Sequence, residues 1–482
     1  MKTNNPVLAI LLITSFLLFS FGRSNAATFS PESQIQNRIL YVKPIARSGD
    51  CFSWATACEL QPALEIALDG DEIWVMEGTY KPTLVDDWSK SFELRDGVAI
   101  YGGFSGNETS RGERDWVENP TILSGEIGGS YRSDNSYHVV VSTGLDASAI
   151  LDGFTITGGN AATGIETSYG GGMYNANSSP ILTNIIFFDN SASSRGGGLY
   201  NSASNPTLTN VTFSSNSTYG YGGGIFNDAS NPTLINVTFS HNTAVYGGGM
   251  FNWFNTSPSL SNVTFEGNTA TNKGGGLHNH NSSSPTLINV TFLANSAPMG
   301  GGVYNSDSSS PTLTNVTFSG NTAGSGSGIY NYLTDSTTLT NVTFTLNSAS
   351  ICGAIYNETS NPTILNNAIL WGNTPALVVC GGGFPEINFS IIEGYYPGTG
   401  NINEDPLLLP LADNGGFTQT HALEEGSPAI DTANPDPATC PSTDQRGVTR
   451  PIDGNGDGIA RCDMGAYEYS SALFLFLPMI LK

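Results

Sequence analysis

From Gly170 onward, apolar and polar positions follow a pattern that restarts about every 26 residues. Units begin at Gly170, Gly196, Gly222, Gly247, Gly274, Gly300, Gly326 and Cys352, with spacings of 25 to 27. Three residues into each unit stands an aliphatic residue or Met, as at Met173, Leu199 and Ile225, and five residues in stands Asn, as at Asn175, Asn201 and Asn227. Further along comes Pro-Thr-Leu-x-Asn-Val-Thr-Phe, as in Pro206 to Phe213, and after two more residues another Asn, such as Asn216. The unit is too short and too rich in turn residues for a helix pair, and its apolar residues alternate with polar ones at period two, so each run predicts a short strand.

In the second unit Leu208 and Asn210 share one parity while Val211 and Phe213 share the other. A bend between Asn210 and Val211 turns all the apolar residues inward, giving strands near 198–201, 207–210 and 211–214. Stacked in register, such units make three parallel sheets around one core, an all-β right-handed parallel β-helix. Eight coils at the usual strand spacing form a rod on the order of 38 Å long.

The glycines then mark sharp strand entrances where neighbouring coils approach closely. The Asn columns mark bends, where a short amide tolerates unusual backbone angles and bonds to the coils on either side. Asn210, Asn236, Asn262, Asn289, Asn315 and Asn341 lie in Asn-x-Thr sequons, and the expectation is an inward ladder and not an array of glycans.

Composition adds a compartment and removes some partners. The 482 residues carry 41 Asp+Glu against 17 Lys+Arg, a net charge of −24, with only 12% charged residues and 57 glycines. A phosphate-backbone binder needs clustered cations, so nucleic acid is excluded, and an anionic membrane surface is disfavoured for the same reason. Lys2, the apolar run Val7–Phe21 and Ser24-Asn25-Ala26 form a secretory signal plan, with cleavage expected after Ala26. The run is too short to span a bilayer, so no transmembrane segment is expected in the mature chain. Six cysteines in an exported chain read as disulfides, and the simplest assignment is three local bridges, Cys51–Cys58, Cys352–Cys380 and Cys440–Cys462, among fifteen pairings that sequence leaves open.

Gly196-Gly197-Gly198-Leu199 with Phe213-x-x-Asn216 resembles the repeats of chlamydial polymorphic outer membrane proteins, which are adhesin-like β-helices at the cell surface; the motif covers about residues 166–375. The large C-terminal barrel of those proteins has no counterpart in the roughly 100 residues that follow. Residues 41–165 resemble the N-terminal section of secreted bacterial right-handed β-helix proteins, through Gly70-Asp71-Glu72-Ile73-Trp74-Val75, Tyr101-Gly102-Gly103-Phe104, Arg114-Asp115-Trp116 and Leu151-Asp152-Gly153-Phe154. Residues 413–468 resemble the choice-of-anchor Q domain of the same proteins, through Asp413-Asn414-Gly415-Gly416, Gln419-Thr420-His421, Gly426-Ser427-Pro428-Ala429-Ile430-Asp431, Asp444-Gln445-Arg446-Gly447 and Cys462-Asp463-Met464-Gly465. The expected organisation is a signal peptide (1–26), a linker (27–40), an N-terminal β-helix section (41–165), the repeats (166–395), a choice-of-anchor Q-like domain or cap (396–469) and an apolar tail (470–482) that covers the last coil or serves as a sorting signal.

β-Helices also include pectate lyases, which hold Ca²⁺ between carboxylates and remove a proton with a nearby cation. Between 170 and 380 the only Lys or Arg residues are Arg195 and Lys273, three turns apart, and Asp228, Asp307 and Glu358 fall near one bend in different units. Such scattered charges predict a solvated surface and no catalytic residue. Arg111-x-Glu113-Arg114-Asp115 predicts ion pairing at a loop, and His278 and His280 predict a surface substitution more than a metal pair.

Two further sets are candidate sites. Asp453, Asn455, Asp457 and Asp463 resemble part of a Ca²⁺ loop, although Met464 holds the position where such a loop ends in an acid; a plain Asx-Gly turn is the competing reading. Tyr174, Tyr200, Phe226, Phe251, Tyr304, Tyr330 and Tyr356, with His278 among them, form a column one residue beyond the aliphatic one, so parity turns the rings outward. They predict either a platform for glycan or protein partners or simple ring stacking between coils. The expected protein is an exported, adhesin-like surface rod without catalysis; the alternatives are a Ca²⁺-dependent polysaccharide lyase or hydrolase and a passive spacer.

Overall fold

The computed structural model describes residues 37–44, 49–129, 132–162, 164, 166–376 and 379–471; the expected signal peptide and residues 472–482 of the apolar tail lie outside them. Within the described residues about twelve coils of about 26 residues wind into a right-handed parallel β-solenoid. Three parallel sheets run along it, a bent sheet of seventeen strands, a flank sheet of eleven and a narrow sheet of eight.

The coil that begins at Gly196 shows how the repeat folds. Its strands are Leu199–Ser202, Thr207–Ser214 and Ser217–Thr218. The break expected at Asn210 is instead a kink inside one continuous strand, because Asn210 takes φ +55° and reverses parity without leaving the ladder. Leu208, Val211 and Phe213 therefore all point into the core, at 0 to 1% exposure. The third sheet comes from Ser217–Thr218, after Asn216. Each coil repeats on the next in register, Leu208 on Leu234 and Phe213 on Phe239.

Identical side chains thus stack upon themselves. Phe187, Phe213, Phe239, Phe265, Phe292, Phe318 and Phe344 form a buried file with centroids 4.4–5.0 Å apart and planes within 6°, the offset stacking that aromatic rings favour. Gly249 shows why this file demands glycine beside it: a Cβ there would lie 2.6 Å from Gly276 O and 2.8 Å from the Phe265 ring.

Two buried Asn ladders flank the core. From Asn175 to Asn357 each Nδ2 donates to the Oδ1 of the next coil at 2.8–2.9 Å. From Asn190 to Asn373 the same contact measures 2.9–3.0 Å. The sequon column corrects the sequence reading. Asn210 is exposed and Asn236, Asn262 and Asn289 are half-buried, because the left-handed bend turns these amides away from the core while Leu208 and Val211 take the inward positions. Asn315 and Asn341 are buried only through cover from the C-terminal segment.

The core is closed at its N-terminal end and covered along one outer face near its C-terminal end. At the N-terminal end the helix Leu60–Ile66 lays Leu60, Ala63 and Leu64 against the first coils. The first strand, Ile39–Val42, begins inside the span expected to be linker. After the last coil, residues 404–471 fold back along the outer face of the bent sheet, around Ile430, Ala433, Cys462 and Met464 packed on Ile369 and Ile391. The disulfides join Cys51–Cys58, Cys352–Cys380 and Cys440–Cys462, with Cα separations of 4.8, 6.0 and 6.0 Å, all within disulfide reach.

Candidate functional site

The predicted aromatic column lies on the outer side of the flank sheet, paired coil to coil as Tyr200 on Phe226 and Phe226 on Phe251. It is not an open ridge. Tyr200, Phe226, Phe251, Tyr304 and Tyr330 are at most 5% exposed, and Tyr174 and Tyr356 are half-buried. Parity correctly turns the rings away from the core, but two neighbouring columns lean over them. On one side stand Tyr169, Arg195, Tyr221 and Tyr246, linked by single parallel bridges, followed by Lys273. On the other stand Asp228, Trp253 and His280, then Ser306, Tyr332 and Glu358. The rings stack along the rod, Tyr200 on Phe226 at 5.7 Å and Tyr304 on Tyr330 at 5.2 Å.

The accessible chemistry of this face therefore belongs to the covering columns. Arg195 spans Tyr169 and Phe226 at 5.2 and 4.9 Å from their centroids and reaches Asp228 at 3.4 Å. Lys273 sits 4.7 Å over Tyr304 and 6.0 Å from Tyr332. Such cation–ring contacts fix long side chains that would otherwise sample many rotamers. Trp253 lies 4.8 Å from His280, whose Nδ1 is 2.8 Å from Ser306 Oγ and 2.9 Å from Asp307. Tyr330 donates to Glu358. Sequence reasoning found Arg195, Lys273 and the acids but missed Trp253, Tyr221, Tyr246 and Tyr332, because their columns change residue type from coil to coil and leave no periodic signal.

Burial shapes the electrostatics of the patch. It raises the pKa of the Asp228 carboxyl, and Arg195 partly offsets the effect. It lowers the His280 imidazole, against the pull of Asp307. His278 is enclosed between Phe251 and Tyr304, at 4.5 and 4.7 Å. Its pKa lies well below the ordinary value, through burial first and then the charges of His280 and Lys273. It is part of the stack and not a surface substitution. Three of the acids on this face have partners of their own: Arg195 for Asp228, His280 for Asp307 and Tyr330 for Glu358.

The charged loop near the N-terminal end behaves as expected. Arg111 pairs with Glu72 at 2.9 Å and Arg114 with Asp152 at 2.6 Å, both around the Tyr101 ring. Glu113 accepts from Thr109 N, and Asp115 caps Val117 and Glu118.

The three acids of the suspected Ca²⁺ loop, Asp453, Asp457 and Asp463, form no group arranged to hold a metal. Asp453 accepts from Gly456 N and Gly458 N, Asn455 from Asp457 N, and Asp457 from Ile459 N, a run of Asx turns. Asp463 is fully buried on the other side, where it accepts from Asp431 N and Tyr469 N. Asp431, which the sequence did not single out, organises the loop instead through Gly454 N, Asn455 N and Arg461 N. Among the described residues no group of three or more His, Cys, Asp or Glu side chains is arranged to hold a metal, and no helix is long and apolar enough to cross a membrane.

Comparison with known proteins places these features. The family model described as "Right handed beta helix region" matches residues 118–297. That described as "Chlamydia polymorphic membrane protein (Chlamydia_PMP) repeat" matches residues 315–332. Among solved structures, the crystal structure of pectate lyase Pel9A aligns at TM-score 0.42 and 12% identity, covering 91% of this chain and 98% of that one. The complex of XylC with xylose aligns at TM-score 0.46 and 10% identity, covering 90% and 99%. No curated protein matches the chain. With its stacked coils and the two family-model matches, the chain is a right-handed parallel β-helix protein carrying a repeat similar to that of the Chlamydia polymorphic membrane proteins.

Proposed function

We propose that this protein is an exported, adhesin-like β-helix that binds a glycan or protein ligand on the outer face of its flank sheet and performs no chemistry there. The observation that carries the reading is the patch in which Trp253, His280 and Tyr332 stand half-exposed beside Arg195, Lys273 and Asp228 on a bed of stacked rings. A flat aromatic surface edged with fixed polar groups suits sugar rings and protein side chains alike. Export is supported by the signal-like N-terminus and the disulfides, and attachment at the cell surface by the resemblance of residues 413–468 to a choice-of-anchor Q domain.

A glycan array probed with the wild type and with Trp253→Ala plus Tyr332→Ala tests the reading. Loss of signal in the double variant is expected; an unchanged profile removes this face as a glycan-binding site, and silence from both proteins leaves a protein ligand or a passive spacer. Incubation with polygalacturonate and Ca²⁺ addresses the lyase alternative, for robust formation of unsaturated uronide would replace binding by catalysis.

A further inference from the structure

The outward Asn column of the bent sheet differs between its two halves in one respect, which is what covers it. In the C-terminal coils the segment 404–471 lies on it. Asn315 Nδ2 donates to Thr443 O at 2.8 Å, Asn341 Nδ2 to Asp463 O and Gly465 O at 2.9 and 3.2 Å, and Asn367 Nδ2 to Thr439 O at 3.1 Å. The adjoining Thr column joins in, through Thr291 Oγ1 to Gln419 O and Ala466 N to Thr343 Oγ1. These side chains thus form a track whose outward amide N–H groups hold amide carbonyls.

The same track continues uncovered through Asn184, Asn210, Asn236 and Asn262. Each amide from Asn210 to Asn289 gives one N–H to the Oδ1 of the preceding coil at 3.1–3.2 Å. An amide group has two such donors, so one per coil faces solvent, flanked by Thr212, Thr238 and Thr264 and by exposed Ile186, Ile235 and Ile288. The ionised side chains along this floor are Asp152, which is paired with Arg114 at the Gly153 end and accepts from Asn184 Nδ2, and exposed Glu266, two residues beyond Thr264, so the floor disfavours an anionic ligand.

Both ends of the bare stretch are walled. At one end Trp116 stands over Gly153, where a Cβ would come within 3.2 Å of its own Cβ, and is 42% exposed. At the other end Thr418 approaches Asn289 O at 3.5 Å, and its neighbour Phe417 is 63% exposed. Five coil steps separate Gly153 from Asn289, ~24 Å at the strand spacing.

From this geometry we infer a second ligand site, a trough along the rod axis for a linear, neutral glycan of β-1,4-linked N-acetylglucosamine. The acetamido carbonyl is the acceptor type that Asn315, Asn341 and Asn367 already hold. In an extended β-1,4 chain the acetamido groups of one side recur once per disaccharide, a length matched by two coils, ~9.6 Å, whereas same-side carbonyls of an extended peptide recur at ~6.8 Å and fall out of step with the coils. The trough holds about five sugars between Trp116 and Phe417, whose rings offer stacking faces at its ends. The site is separate from the flank-sheet patch, so either reading can fail alone.

Calorimetric titration of the purified protein with the N-acetylglucosamine hexamer, its dimer and cellohexaose tests the inference. The hexamer should bind at least tenfold more tightly than the dimer and than cellohexaose, which lacks the acetamido groups. Asn236→Gly plus Asn262→Gly, which keeps the left-handed backbone accessible, should lower hexamer affinity tenfold or more. Thr238→Lys, which obstructs the floor without touching the Asn ladder, should do the same, while Tyr219→Ala, an 85% exposed ring beside the narrow-sheet strand Ser217–Thr218, leaves affinity unchanged. Absence of hexamer binding, equal binding of cellohexaose, or loss of binding only in Tyr219→Ala would overturn it. So would concentration-dependent dimerisation abolished by Thr238→Lys, which would assign the track to a second copy of the chain.

Discussion

Asn331 Nδ2 donates to Asn357 Oδ1 at 2.9 Å, while the Nδ2 of Asn357 has no partner among the described residues. Its column neighbour in the next coil is Gly381, so a file of amides that all donate in one direction ends on a spare donor. At the other end the Oδ1 of Asn175 is likewise unpaired.

The ladder should therefore be most sensitive at its centre. Asn279→Leu strands the Asn252 donor and the Asn305 acceptor in the interior and should cost about 3 kcal/mol in urea denaturation, given about 1–3 kcal/mol per buried orphan. Asn357→Leu orphans one group and removes another, and should cost about 1 kcal/mol. Equal losses at the two positions would show that the rungs act independently of their place in the file.

Gly249→Ala should destabilise the rod by about 1–3 kcal/mol, the usual penalty for overpacking, because its Cβ has no room between Gly276 O and the Phe265 ring. Gly112→Ala, with open space around it, is the control and should leave the thermal midpoint unchanged.

Acid should weaken the fold through its buried histidines. His421 donates from Nδ1 to Leu409 O and accepts at Nε2 from Ser319, and burial lowers its pKa, as it does for His278. An unfolded imidazole takes up its proton near pH 6.5 while these do not, so stability is complete above that pH and declines below it. Each such group contributes up to about 1.4 kcal/mol per pH unit. His278→Phe, which restores the ring type of Phe226 and Phe251, should raise the melting temperature more at pH 5.5 than at pH 7.5; an equal gain at both would locate the acid sensitivity elsewhere.

Addition of Ca²⁺ or of EDTA should leave the melting temperature within a degree, because Asp453, Asp457 and Asp463 are not grouped to hold a metal. A rise of several degrees with Ca²⁺ that vanishes in Asp453→Asn would instead make the loop a cation site.

The solenoid was legible in the sequence because its determinants recur. Leu208, Phe213 and Asn201 each belong to a column of near-identical residues, and a column names its own partner. The kink at Asn210 was legible as a change of parity, although not the outward direction of its amide. The cover over the aromatic column was not legible, since it comes from Tyr221, Tyr246 and Trp253, whose columns also hold Arg, Lys, Asp and His. Nor could the repeat distinguish Thr238, half-exposed, from Thr317, fully buried. Both sit in the same motif, and only the returning segment with Gln445, which bonds Thr317 Oγ1 at 2.7 Å, separates them.

Because every coil closes the one before it with the same Asn bonds and the same Phe contact, the number of coils between the two walls of the trough is free. Whole units inserted or deleted between Gly196 and Lys273 leave each wall's own seating untouched and change only the distance between Trp116 and Phe417. Reach then behaves like the markings on a ruler, adjustable in steps of ~4.8 Å, so unequal exchange between repeats in the gene would tune how long a ligand the rod spans without any new fold.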